Sequence, residues 1–238
     1  MSDRGAVIVI GAGPGLGAAV GRRFAAEGYG VALATRTPEK AEGAAAGITD
    51  AGGVAIHAAL DGTDEAAVAA FVERVESELG PIAVAVYNAS GRVVKSILDL
   101  TTEEMEDTWR KACLGGFILG RETVRRMVGR GRGTILFSGA TASLRGGKNF
   151  ASFAVGKFGL RALAQSMARE FGPQGIHVAH INIDGQIFSE RYAEEAKSRP
   201  QDGMLSPDAI ADAYWHLHSQ HRSAWTQELD LRPWVEKF

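Results

Sequence analysis

Short β-branched runs alternate along this chain with longer alanine-rich stretches of helical period. Ala6 to Ile10 is apolar throughout and predicts a strand, and Gly15 to Glu27 predicts the helix that follows it. The rhythm then repeats. Val31 to Thr35 predicts a second strand, Pro38 to Ala51 a helix with proline in its first turn, and Val54 to Ala59 a third strand. A helix from about Asp64 to Leu79 is stopped by Gly80-Pro81, Ile82 to Tyr87 gives a fourth strand, and Thr101 to Val128 reads as one long helix. Beyond the turn Gly129-Arg130-Gly131-Arg132-Gly133 come a strand at Thr134 to Ser138, a helix at Phe150 to Phe171 and a strand at Ile176 to Ile183. From Asp184 the pattern loosens. Ser206 caps a helix to about Ser219, and Trp225 to Leu231 is a candidate last strand.

Continuous apolar strands joined by crossover helices need cover on both faces. The expected fold is therefore α/β, a doubly wound parallel sheet of Rossmann type, in a single domain over residues 1–238. Such sheets bind ligands beyond the carboxyl ends of their strands. The polar stretch 186–202 lies where a mobile substrate lid is expected.

Composition narrows the function. With 238 residues, 45% of them hydrophobic, the chain can bury one substantial core. Its 28 acidic residues against 26 Lys and Arg give a net charge of −2, which offers no general attraction for nucleic acid or anionic lipid. The apolar run from Ala6 to Val20 is broken by glycines and proline and is too short to span a bilayer, so no membrane association is expected. Cys113 stands alone, which excludes an internal disulfide and favours the cytoplasm. His218 and His221 share a helix face, but His216 points away from His218 and no cysteine joins them, so no metal site is expected. Arg121, Arg125, Arg126, Arg130 and Arg132 gather toward a helix C-terminus, where the dipole favours cations. His180, inside an apolar strand, reads as a hydrogen-bonded core histidine.

The chemistry begins at Gly11-Ala12-Gly13-Pro14-Gly15-Leu16-Gly17, which follows a strand and opens a helix. Glycine at 11 permits a tight turn, glycine at 15 lets backbone approach a pyrophosphate, and the helix N-terminus offers N–H groups to negative charge. The second strand ends in Thr35-Arg36 where an NAD site usually carries a carboxylate. Arginine there pairs with a 2′-phosphate, so NADP(H) is preferred over NAD(H).

The glycine spacing resembles that of the short-chain dehydrogenase/reductase family, and ordered matches continue almost to the end of the chain. Asp61 resembles the family aspartate that contacts adenine, and Tyr87-Asn88-Ala89-Ser90 resembles its Asn-Asn-Ala-Gly, with Asn88 as the second asparagine. Lys157 matches the lysine of Tyr-x-x-x-Lys. Asp184-Gly185-Gln186-Ile187-Phe188-Ser189 resembles Pro-Gly-x-Ile-x-Thr, which implies that Ile187 and Ser189 hold the nicotinamide end of the cofactor. The resemblance implies an NAD(P)-dependent oxidoreductase with a small-molecule substrate, assembled as a homodimer or homotetramer through its two long helices.

Its departures fall on the reactive residues. The family tyrosine corresponds to Phe153, its serine to Ala140, its helix asparagine most nearly to Cys113, and its proline before glycine to Asp184. Of the reactive set the lysine remains, and the resemblance gives its ammonium a second task, binding the nicotinamide ribose. Phenylalanine has no proton to deliver, and a positioned acid typically contributes ~10²–10⁴ in rate. Ser138, Thr141, Ser143 and Ser152 are the nearby hydroxyls. Two readings stay open. In one, the chain is an oxidoreductase of atypical mechanism on a small carbonyl or enoyl substrate, with Lys157 as proton source, through a water if need be, or with an enolate protonated by solvent. In the other it is a non-catalytic NADP(H)-binding sensor or partner subunit.

Overall fold

Every residue of the first strand, β1 (Ala6–Ile10), is buried, because successive side chains enter two different apolar layers. Ala6, Ile8 and Ile10 join one, and Val7 and Val9 the other. The computed structural model describes residues 4–237, so the extreme ends of the expected 1–238 domain lie outside it. Around β1 run β2 (Gly30–Thr35), β3 (Ala55–Ala59), β4 (Ile82–Tyr87), β5 (Gly133–Ser138), β6 (Ile176–Ile183) and β7 (Glu228–Leu231), in the order β3-β2-β1-β4-β5-β6-β7. All six pairings are parallel. The sheet is a single doubly wound unit, as the apolar runs require.

Helices α1 (Leu16–Ala26) and α2 (Pro38–Thr49) cover one face. The opposite face carries α3 (Glu65–Leu79), and α4 (Thr102–Trp109) leads into α5 (Gly115–Val128) and then α6 (Ala151–Phe171) on that side. A short α7 (Ala193–Lys197) follows, and α8 (Pro207–Ser219) returns to pack with α1. Local capping agrees with this layout. Asp64 accepts from the Ala67 N–H at 3.0 Å, and Thr101 and Glu104 close a capping box.

The helix expected to run unbroken from Thr101 to Val128 is interrupted. Arg110–Leu114 between α4 and α5 is π-helical. The Tyr87 hydroxyl donates to the Lys111 carbonyl at 2.6 Å, supplying a partner from β4 at the wide turn. A side chain on Gly115 would collide with that hydroxyl. The last strand is also shorter than Trp225 to Leu231, starting at Glu228, because Trp225 instead stacks on His177 at 4.9 Å.

Four of the five clustered arginines pair with acids. Arg121 reaches Glu65 and Glu122, Arg125 reaches Glu122, and Arg126 and Arg130 reach Glu76. His218, weighed as a metal ligand in the sequence, is held between the Tyr29 hydroxyl and Thr134 Oγ1, each at 2.9 Å. No group of three or more metal-ligating side chains occurs among the described residues. No described helix is long and apolar enough to cross a membrane. His180 is buried in β6 with Nε2 3.2 Å from Ser143 Oγ, a core histidine with a partner.

Burial lowers the pKa of His177, His180 and His218, the last two to about 4. The charges of Lys157 on His180 and of His177 on His218 act in the same direction. An unfolded chain takes up these protons as pH falls through its ordinary histidine range, while the fold refuses them. Their contribution is therefore complete above about pH 6.5 and is lost on the way down. We expect the urea midpoint to fall between pH 6.5 and roughly 4.5, above the range where most carboxylates titrate, and His218→Gln to flatten part of that slope. A midpoint constant across this window would contradict the assignment.

Candidate functional site

The strand order reverses at β1, whose two neighbours are β2 and β4, and this opens a crevice at the carboxyl ends of the strands. The glycine-rich turn fills the floor of it. Gly11 has φ 95°, and an added Cβ there would collide with the Ala89 backbone. A Cβ on Gly17 would strike the Gly11 carbonyl, so helix and strand pack at backbone distance. Gly13 and Gly15 face open space. Asn88 ties the end of β4 to this turn, its N–H donating to the Ile10 carbonyl at 2.8 Å and its Nδ2 to the Gly11 carbonyl at 3.0 Å. Helix α1 begins at Leu16 rather than Gly15, and no side chain caps it.

Two cavities adjoin along the crevice, sharing Asn88 and Ser90. The first, about 260 Å³, is lined by Gly11, Gly13 and Pro14, by Arg36 and Lys40, and by Asp61 with Thr63. Asp61 Oδ1 accepts from both the N–H and the hydroxyl of Thr63, each at 2.9 Å. Burial would raise this carboxyl, but the Thr63 bonds, with Arg36 and Lys111 nearby, outweigh it and hold the pKa below its ordinary value.

The second cavity, about 530 Å³, is lined by Ala140, Thr141, Phe150, Phe153, Lys157 and Ile187 among others. Lys157 is buried, its Nζ donating to the Ser138 carbonyl at 2.7 Å and lying 6.0 Å from the centre of the Phe153 ring. Burial without a counter-ion pushes the amine down to about 8. The other charged residues lining this cavity are Arg92 and Arg145, and no Asp, Glu, His, Tyr or Cys lines it.

The nearby hydroxyls are committed elsewhere. Ser138 Oγ bonds the Tyr214 hydroxyl at 2.7 Å, and Ser143 Oγ accepts from the Ala140 N–H at 3.1 Å. Thr141 Oγ1 donates to Asp184 at 2.6 Å. Ser152 Oγ is buried without a partner among the described residues and does not line the cavity. Asp184 is itself almost wholly buried and carries ion pairs at 3.6 Å to Arg145 and 3.5 Å to Arg232. It thereby fastens the segments after β5, β6 and β7 to one another.

Not every residue singled out in the sequence enters the crevice. Leu16 and Gly17 are packed beneath it. Ser189 lines neither cavity. Cys113 also lines neither: its Sγ lies toward Gly159 of α6, and burial raises the thiol pKa. The stretch expected to form a lid is anchored at its start, where Leu205 N–H donates to the Gln186 carbonyl and Phe188 N–H to the Leu205 carbonyl, each at 2.9 Å. Conversely, Lys40, Lys111, Arg92 and Arg145 line the cavities without having been marked by sequence. Lys40 offered a signal, standing four residues after Arg36 in the first turn of the following helix, whereas Arg92 and Arg145 lie in loops with no periodicity.

A sequence profile described as short chain dehydrogenase matches residues 5–191. The short-chain reductase protein NovJ of Streptomyces niveus is 35% identical over 241 residues, covering 98% of this chain and 89% of that protein. The crystal structure of a short-chain dehydrogenase from Rhodopseudomonas palustris matches with a TM-score of 0.85 at 42% identity, covering 97% of this chain and 99% of that one. A metagenomic short-chain oxidoreductase crystallised with NADP matches with a TM-score of 0.84 at 26% identity, covering 97% and 98%.

Proposed function

Because the chain belongs to the short-chain dehydrogenase family, we propose that it is an NADP(H)-dependent oxidoreductase of atypical mechanism, acting on a small carbonyl or enoyl compound. One observation carries the mechanism. Among the residues lining the larger cavity, Lys157 is the one ionisable group whose proton exchanges near neutral pH, since the others are arginines. The family's tyrosine and serine are represented at this wall by Phe153 and Ala140, neither of which can hold a proton.

The residues present fit the cofactor. Open backbone at Gly13 and Gly15 would face its pyrophosphate, Asp61 and Asn88 its adenosine side, and Arg36 with Lys40 a 2′-phosphate. Ile187 lines the nicotinamide side, with Ser189 two residues further along. Held by these residues, the coenzyme would supply the hydride. Lys157 donates the proton from Nζ to the substrate oxygen or to an enolate carbon, directly or through water. Burial favours this role, because an amine lowered to about 8 releases a proton more readily than an exposed lysine. The Ser138 carbonyl orients the amine.

A second reading, a non-catalytic NADP(H)-binding sensor or partner subunit, is favoured by the commitment of Ser138, Thr141 and Ser143 to structural bonds. The inferred assembly, a homodimer or homotetramer, is supported by exposed Trp109 and Phe117 on the α4–α5 side and Val155 and Phe158 on α6.

Two experiments test these readings. Arg36→Ala with Lys40→Ala is expected to weaken NADPH binding by ~10–100-fold while leaving NADH nearly unchanged, as read by fluorescence titration. Equal losses for both coenzymes would refute the 2′-phosphate assignment. Phe153→Tyr with Ala140→Ser is expected to create or raise ketone-dependent NADPH oxidation by on the order of 10²-fold. No gain, in a variant that folds and binds NADPH, would count against a cavity shaped for carbonyl reduction.

A further inference from the structure

The larger cavity has a polarity that bears on what enters it, granted that it is the substrate side of the cofactor site. Its volume of about 530 Å³ suits a small organic molecule. Its three charged lining residues, Arg92, Arg145 and Lys157, are all cationic, and no carboxylate side chain faces it. They differ in depth. Lys157 is 3% exposed, whereas the Arg145 side chain is 49% exposed and Arg92 is also open to solvent. The amine thus marks the closed end and the two guanidinium groups the mouth.

Arg92 also differs from the ion-paired arginines elsewhere. Arg92 makes no ion pair or hydrogen bond among the described residues, and its guanidinium sits over the Phe150 ring at 5.1 Å. That contact leaves its N–H fork without a protein acceptor among the described residues. Arg145 pairs with Asp184 at 3.6 Å, but that carboxylate also accepts from Thr141 at 2.6 Å and pairs with Arg232 at 3.5 Å, so Arg145 shares its counter-ion. The wall also carries apolar surface from Phe150, Phe153 and Ala140, beside the polar Asn88, Ser138, Thr141 and Gln186.

We propose that this cavity selects substrates bearing an oxyanion, a carboxylate or a phosphate monoester, on an apolar body. Arg92 and Arg145 hold the oxyanion at the mouth, the body lies along Phe150 and Phe153, and the reducible group reaches Lys157. Arg92 and Arg145 act as specificity residues and take no part in proton transfer.

The test is a calorimetric titration of NADPH-loaded protein with benzoate, phenyl phosphate and the neutral isostere benzamide. Benzoate or phenyl phosphate is expected to bind at least ~10-fold tighter than benzamide, and whichever binds tighter identifies the oxyanion. Arg92→Gln and Arg145→Gln should each reduce that preference by ~10-fold or more without changing NADPH affinity. Arg92 makes no ion pair or hydrogen bond among the described residues, so its variant is read even if Arg145→Gln unfolds the loop around Asp184. Benzamide binding as tightly as both anions, or an anion preference untouched by Arg92→Gln, would overturn the proposal while leaving the cofactor reading in place. Failure of the unmodified protein to bind NADPH would instead remove the reading on which the proposal rests.

Discussion

The site depends on one constraint, the reversal of strand order at β1. Because β1 lies between β2 and β4, the chain leaves it in one direction and returns on the other side, and the crevice between cannot be filled by a crossover helix. The gap is held in shape by backbone rather than by bulky side chains. Gly11 turns with a positive φ against Ala89, Gly17 seats α1 on the turn, and Asn88 bonds both Ile10 and Gly11. The closeness of these contacts explains why glycine is demanded at 11 and 17, where a Cβ would collide. Gly13 and Gly15 instead have open space around them, and the Gly13 backbone faces whatever fills the smaller cavity.

Strand and helix positions were legible in the sequence because both faces of the sheet are covered, giving unbroken apolar runs such as Ala6 to Ile10 and Ile82 to Tyr87. Caps at Asp64, Thr101 and Ser206 were written locally. What was not legible came from partners distant in sequence. The π-helical segment at Arg110–Leu114 is met by a hydroxyl from β4, so periodicity within the helix does not reveal it. Asp184 reads as a mere departure from a proline, yet its side chain joins Thr141, Arg145 and Arg232 from three segments. The arginines near α5 read as a cationic helix end until their partners Glu65 and Glu76, both from α3, come into view.

The site itself was legible in part. Gly11, Gly13, Pro14, Arg36, Asp61 and Asn88 come together around one cavity, and Ala140, Phe153, Lys157 and Ile187 around the next. Ser189 and Cys113 do not join them, the latter because its place in the π-helical segment sets it against α6. Lys40, in the first turn of α2, adds a second cation where sequence spacing had offered a single arginine.

The larger cavity is poor in groups that can move a proton. Its lining hydroxyls, Ser138, Thr141 and Ser90, are tied to Tyr214, Asp184 and the Gly91 carbonyl, its aromatic rings are phenylalanine, and its arginines stay charged at any working pH. On the proposed reading proton delivery falls to the buried amine of Lys157, and the most direct test is the pH dependence of NADPH oxidation with a substrate drawn from ketone and enoyl panels. Reduction should be fastest with the ammonium form and decline as pH rises through about 8, and Lys157→Gln should lower the rate by ~10²–10⁴ and abolish that decline. A profile flat through this range, full turnover in Lys157→Gln, or no turnover with any member of either panel would contradict the account.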